Sequence, residues 1–260
     1  MHTMLNSNTF HGQTALVTGG SSGIGLSIAL GLAEMGANVA ILGRNQERLD
    51  SAVDQLTALG HTVRGYSVDV RDNVEIQSTI EKIGQDLGQI NLLVNNAAGN
   101  FRVDPLELSP NGWRSVVEIV LTGTWNVTQA VARVAIETGG PLSVVNIGTT
   151  AAATGSASTV HSASAKSGVI TMTKSLAAAW AHHGIRLNIV SPGLTKDTGG
   201  VDALYGSPDE LAGHLKAIPM GRLAEKQEIA NACAYLLSDY AAYVTGTNLI
   251  IDGGRQLGTH

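Results

Sequence analysis

Close to its start the chain runs through Thr14-Ala15-Leu16-Val17-Thr18 directly into Gly19-Gly20-Ser21-Ser22-Gly23-Ile24-Gly25, and an apolar helical pattern opens at once after it. A strand, a glycine-rich turn and a helix in immediate succession begin a βαβ unit, and this constrains the remaining chain more than any other segment. Parallel strands need long crossovers, usually helical, and the sequence supplies them repeatedly. Further β-branched runs lie at Asn38–Leu42, Thr62–Val68, Ile90–Asn95, Leu142–Ile147, Arg186–Val190 and Asn248–Ile251. Helical periodicity fills the intervals at about Ile24–Met35, Gln46–Leu59, Asn73–Leu87, Asn111–Glu137, Thr159–His182 and Lys226–Ser238. The alternation predicts the α/β class: a doubly wound, seven-stranded parallel sheet between two helical layers, a three-layer sandwich. No repeat or linker interrupts it, so residues 1–260 are expected to form a single domain. The segment Gly193–Met220, with Gly199-Gly200, Pro208 and Pro219, breaks the pattern. It reads either as a lid over a site or as an ordinary surface connection.

Composition excludes several classes of function. No stretch approaches the ~20 apolar residues of a membrane span, and the N-terminus lacks a cationic start followed by an apolar core. A soluble, cytoplasmic protein with no membrane partner is expected. The net charge is -5 and the 16 basic residues are scattered, which argues against nucleic acid as a partner. The single cysteine, Cys233, cannot form an intrachain disulfide. It sits in an apolar helical pattern that favours a buried structural thiol over a reactive one. His182-His183 has no Cys, Asp or Glu at ligand spacing, so no metal site is expected.

The glycine turn carries specific chemistry. Gly19 permits the tight turn, Gly23 lets backbone approach a diphosphate, and Gly25 lets the helix pack closely on the strand. The amides of Ser21, Ser22 and Ile24 then open a helix whose N-terminus favours negative charge. The second strand ends in Leu42-Gly43-Arg44. An acidic residue there would accept a ribose 2′-hydroxyl and repel a 2′-phosphate. A guanidinium instead can pair with phosphate, so NADP(H) is preferred over NAD(H). An exposed arginine opening a helix is the plainer reading. Asp69, followed by Val70 at the end of the third strand, could accept from an adenine amine or could cap a helix.

With these elements in order, the chain resembles the short-chain dehydrogenase/reductase superfamily over essentially its full length, with a Rossmann-type fold implied. The resemblance rests on the Thr18–Gly25 turn, Asn95-Asn96-Ala97-Ala98-Gly99, Pro192-Gly193 and Ile251-Asp252-Gly253-Gly254. Within it, Asn95-Asn96-Ala97-Ala98-Gly99-Asn100-Phe101 and Ser162-Ala163-Ser164-Ala165-Lys166 are similar to the 2,4-dienoyl-CoA reductases. The resemblance implies that Lys166 holds the nicotinamide ribose and that Thr149 stands where the family's catalytic serine bonds the substrate carbonyl. It implies that Asn95, Ala97, Ala98 and Gly99 line the adenosine ribose. By the same resemblance Pro192, Gly193 and Thr195 lie at the carboxamide, Asn100 and Phe101 face the substrate, and the chain is a homotetramer.

The departures matter equally. Four residues before Lys166, where the family carries its tyrosine, stands Ser162. The family's relay asparagine, or the aspartate of peroxisomal-type members, falls at Val120. The displaced tyrosine of mitochondrial-type members falls at Ala151. His161 is a candidate acid because imidazole titrates near neutrality. At ~100° per residue, however, it lies about 140° from Lys166 on the helix. A packing histidine is the alternative. Tyr205 and His214 are further candidates from the expected lid.

These readings together predict an atypical NADPH-dependent reductase acting on a carbonyl or a conjugated enoyl or dienoyl small molecule, such as a CoA thioester. Lys166 and Thr149 would polarise the acceptor, and water or a non-standard residue would supply the proton. A weak cofactor-binding protein and a non-redox enzyme for cyclisation, isomerisation or dehydration are the rival expectations.

Overall fold

The computed structural model describes residues 5–198, 212–213 and 215–258. Seven strands form one parallel sheet: β1 (Thr14–Thr18), β2 (Asn38–Gly43), β3 (Val63–Ser67), β4 (Ile90–Asn95), β5 (Leu142–Ile147), β6 (Ile185–Pro192) and β7 (Asn248–Ile251). Their order is β3-β2-β1-β4-β5-β6-β7. The chain therefore starts in the middle, winds outward through β2 and β3, then crosses back to place β4 against β1. Outside the carboxyl ends of β1 and β4 the two windings diverge, and a crevice must open there.

Side chains alternate across each strand, so β1 feeds two cores. Ala15 and Val17 pack on one face with Ile28 and Leu32 of α1 (Gly23–Glu34), while Leu16 packs on the other. The first face also holds α2 (Gln46–Ala58), and Cys233 lies buried there. On the second face lie α3 (Asn73–Leu87), α5 (Gly123–Thr138) and α7 (Val160–Trp180). Helices on both faces explain why β1 is fully buried from end to end. This is the doubly wound, three-layer architecture expected from the sequence.

Four of the helix starts follow from capping. Asn45 Oδ1 accepts from the Arg48 amide at 2.8 Å at the head of α2, and Asp72 accepts from Val74 and Glu75 at 3.0 and 2.9 Å at the head of α3. Ser109 caps α4 (Pro110–Val117), which has proline in its first turn. The last long helix, which we call α8 (Lys226–Leu237), begins with a reciprocal pair between Glu225 and Glu228. At α1, by contrast, Ser22 makes no side-chain cap.

Several boundaries differ from the sequence expectation. Strand β6 extends to Ile185–Pro192, and β3 shortens to Val63–Ser67. The helix expected over Asn111–Glu137 divides into α4, a π-helical turn Glu118–Thr122, and α5. Its cause is local. Gly123 donates five residues back to Glu118 O, and Thr124 Oγ1 donates to Val120 O at 2.7 Å, so the carbonyls displaced by the wider turn keep partners. A one-turn helix α6 (Ala151–Thr154) was too short to carry a period. Asp72, not Asp69, caps α3. Among the described residues no helix is long and apolar enough to cross a membrane, and no cluster of His, Cys, Asp or Glu could hold a metal.

Candidate active site

Two loops build the crevice. Thr18 Oγ1 accepts from the amides of Asn96 and Ala97 at 3.0 and 2.9 Å, and Asn96 Nδ2 donates to Thr18 O and Gly19 O at 3.1 and 3.2 Å. The fit leaves no room for side chains. A Cβ on Gly25 would stand 2.2 Å from Gly19 O, and one on Gly19, whose φ is +64°, would stand 3.2 Å from Ala97 Cα. Gly23, with φ +55°, instead meets open space, so a Cβ there would occupy the crevice itself.

The first cleft is walled by Gly19, Ser21, Ser22, Gly23 and Ile24 on one side and by Arg44, Asp69, Val70, Ala97 and Ala98 on the other. Gly25 lies behind it as a packing residue. Asn95 is buried and does not line the cleft: its Nδ2 donates to Thr128 Oγ1 and Asn146 Oδ1, both at 2.8 Å, while its Oδ1 has no partner. Gly99 packs near Ile119. Asp69 is gripped by the guanidinium of Arg71, with contacts from 2.6 Å, and Arg44 stands 3.9 Å from the same carboxylate. The Arg71 hydrogen bond holds the Asp69 carboxyl below its ordinary range. Sequence reading missed Arg48, a second cation lining the same wall. Its signal was the spacing from Arg44, one helical turn along the start of α2.

Ile24 and Thr198 belong to this cleft and also to a second, adjoining one. The second cleft holds Thr149, Ser162, Asn100, Pro192, Gly193 and Thr195 from the sequence expectation, together with Thr150, Ser156, Thr159, Arg255 and Gln256, which that reading missed. Hydroxyls dominate it. No carboxylate lines it among the described residues, and Arg255 is the one charged side chain of the lining.

Lys166 lines neither cleft; it is buried one helical turn after Ser162. Its Nζ donates to Ile147 O at the end of β5, and the residue is 6% exposed. Burial without a carboxylate partner lowers its pKa to about 8. Ser162, one turn earlier, reaches the cleft wall. Val120 is fully buried with Val116, Ala165 and Val169, and Ala151 opens α6. His161 sits in the first turn of α7, fully buried, with neither ring nitrogen partnered. Burial lowers its pKa. Its ring packs 4.5 Å from that of Phe101, which also abuts Gly112, and neither ring is part of the cleft lining. Tyr205, His214 and most of the expected lid lie outside the described residues.

The first cleft fits a dinucleotide. The α1 N-terminus keeps its amides free of a side-chain cap, Gly23 leaves the space over it open, and the buried Asn95 Oδ1, next to the lining residue Asn96, is orphaned.

Strand order, glycine turn and buried lysine together define a nicotinamide-type reductase fold, and the comparisons agree. A family model described as enoyl-(acyl carrier protein) reductase matches residues 19–256. The chain belongs to this family of short-chain dehydrogenase/reductase oxidoreductases and stands close to the 2,4-dienoyl-CoA reductases. It is 39% identical over 246 residues to the "Probable 2,4-dienoyl-CoA reductase [(2E)-enoyl-CoA-producing]" of Bacillus subtilis (strain 168), covering 94% of this chain and 97% of that one. A short chain dehydrogenase from Bacillus anthracis superposes with a TM-score of 0.91 at 38% identity, over 97% of this chain and 100% of that one. A gluconate 5-dehydrogenase from Burkholderia cenocepacia J2315, in complex with NADP and tartrate, gives 0.91 at 30% identity over 97% and 99%.

Lys166 makes the fold pH-sensitive in a defined window. Its folded pKa of about 8 lies below the ordinary 10.5, so folding disfavours the ammonium form. The cost, on the order of 3 kcal/mol at most, is complete below the folded value and vanishes above the ordinary one. The stability of Lys166→Met relative to the parent is therefore expected to be highest at pH 7 and to decline as pH rises from about 8 towards 10.5. Urea unfolding across that range measures it, and a flat difference would contradict the burial of this charge.

Proposed function

We propose that the protein is an NADPH-dependent reductase of conjugated enoyl or dienoyl thioesters, with a non-standard proton supply. One observation carries the reading: a cleft that fits a dinucleotide adjoins a hydroxyl-lined cleft holding Thr149 and Ser162, and one helical turn from Ser162 lies a buried lysine without a carboxylate partner. Similarity to 2,4-dienoyl-CoA reductases supports the substrate class.

Arg44 and Arg48 would hold a 2′-phosphate, and the amides of Ser21, Ser22 and Ile24 the diphosphate. Lys166 and Asn95 would hold ribose hydroxyls, and Pro192, Gly193 and Thr195 the carboxamide face. NADPH supplies the hydride when bound. Thr149 donates a hydrogen bond to the acceptor oxygen, while the Lys166 ammonium stabilises the negative charge that develops there. Ser162 is too weak an acid to finish the reaction. The proton comes from water held among the cleft hydroxyls, which suits a thioester: its enolate can rest on hydrogen bonds until solvent protonates it. A simple alkoxide needs its acid at once.

We also propose a homo-oligomer. Trp113 and Trp125 are 40% and 36% exposed, with Val117 and Leu121 partly exposed between them. This apolar run, beside the small residue Gly168 of α7, fits burial against a second copy.

Three outcomes test these readings. NADPH oxidation should accompany reduction of a 2,4-dienoyl thioester, fall as pH rises through about 8 with the Lys166 charge, and drop at least ~100-fold in Lys166→Ala. Product formed without NADPH oxidation would instead point to non-redox chemistry. Arg44→Asp should weaken NADPH binding by roughly tenfold or more and shift preference to NADH, read by fluorescence titration. Trp125→Glu should reduce the mass seen by light scattering; an unchanged mass would remove this face from the assembly.

A further inference from the structure

The end of the chain turns back onto the second cleft. After β7, Asp252-Gly253-Gly254 leads into a short 3-10 turn, Arg255–Leu257. The Asp252 carboxylate holds this turn, accepting from the Gly254 amide through Oδ1 and from the Gln256 amide through Oδ2, each at 2.9 Å. Fixed in this way, the Gln256 side chain reaches across the cleft, and its Nε2 donates to Thr150 O at 3.1 Å, a link between residues 106 positions apart. The same segment grips the opposite wall. Gly193 donates its amide to Ile251 O at 2.8 Å, and a Cβ on Gly193 would stand 2.8 Å from Asp252 Cα.

The segment Ile251–Gln256 is thus a strap touching both walls of the cleft, the Gly193 wall by backbone and the Thr149-Thr150 wall by one carboxamide. Farther along α6, Ser167 Oγ of α7 holds Ala152 O at 2.6 Å. The Thr149-Thr150 end has the Gln256 carboxamide as its link to the strap. We propose that Gln256 is a positioning residue: its hydrogen bond sets the span between Gly193 and the Thr149-Thr150 turn, and with it the point where the Thr149 hydroxyl meets the acceptor. The inference rests on reading this cleft as the acceptor site. Gln256 itself need not touch the acceptor.

The chemistry of the contact supplies a test that a mere packing role would not pass. A carbonyl oxygen accepts only, so the side chain at 256 must donate. Gln256→Met keeps the length and removes the donor. Gln256→Glu removes it when ionised and restores it when protonated. Asp252 and Arg255 are the charged groups of the same turn, and both remain in these variants.

With NADPH saturating and a dienoyl thioester varied, Gln256→Met should lose roughly ten- to a hundredfold in kcat, with NADPH affinity unchanged. Gln256→Glu should behave alike at neutral pH and recover relative to wild type as pH falls and its carboxyl protonates. Independently of activity, hydrogen exchange of the amides over residues 149–153 should quicken in Gln256→Met. Wild-type exchange and kcat in both variants would overturn the proposal, as would a lowered kcat with unchanged exchange and no recovery at low pH. A wild-type enzyme that oxidises no NADPH would overturn the functional reading instead, while the exchange comparison would still decide the role of Gln256 in holding the turn.

Discussion

Thr18 Oγ1 accepts two backbone amides, from Asn96 and Ala97, at the one place where the strand order reverses. Everything the site needs follows from that join. It locks the loop after β4 against the glycine turn after β1, which fixes the crevice width. The close approach leaves no space for a Cβ at Gly25. Helix α1 is consequently pressed onto the sheet with its uncapped amides facing the opening. A threonine here does two jobs: its β-branch suits a fully buried strand, and its hydroxyl satisfies two amides that would otherwise be orphaned.

The parts legible in the sequence are those governed by local rules. Strands β1, β4, β5 and β7 end where their β-branched runs end; for β1, β4 and β5 helices cover both faces and nearly the whole run is buried, while the edge strand β7 is only partly covered. Arg44 was visible because the acidic residue it replaces has a fixed place after β2. Legibility failed where partners are distant or the period changes. The π-helical turn at Glu118–Thr122 ends at Gly123, which lies so close to Val70 that a Cβ would come within 2.5 Å of its side chain. Nothing in the local pattern shows that contact. Asp69 looked like a cap or an adenine acceptor, yet Arg71 two residues on folds back to grip it. Phe101 was expected to face the substrate by family resemblance alone, and the tertiary structure packs its ring on His161. Gln256, 106 positions from its acceptor, had no sequence signal at all.

Three buried polar groups carry the unfavourable side of this architecture: Lys166, His161 and Asn95 Oδ1. Each would be better solvated or better paired in an unfolded chain. Lys166 and Asn95 line neither cleft, but each stands next to its lining: Asn95 precedes Asn96 of the first, and Lys166 follows Ser162 of the second by one helical turn. Local consistency is commonly broken near such positions for function. His161 is different. Its ring packs against that of Phe101, and its neutral form is the one burial favours. Its position favours a packing role, anchoring the Asn100-Phe101 loop to the start of α7.

The question of the proton then becomes one of electrostatics more than of a missing side chain. A tyrosine beside a buried lysine works because the ammonium lowers the phenol's pKa. Remove the phenol, and the same ammonium still lowers the energy of any negative charge placed above it. No carboxylate lines the second cleft among the described residues to cancel that field, and burial strengthens it. Such a site discriminates by intermediate lifetime. An acceptor whose reduced form spreads its charge over a thioester oxygen gains from the field and can await water. An acceptor that concentrates charge on one alkoxide gains from the field too but needs its proton within the same step. Ser162 in place of a phenol thus need not abolish reduction; it would narrow the acceptors to those whose anion is stable enough to wait.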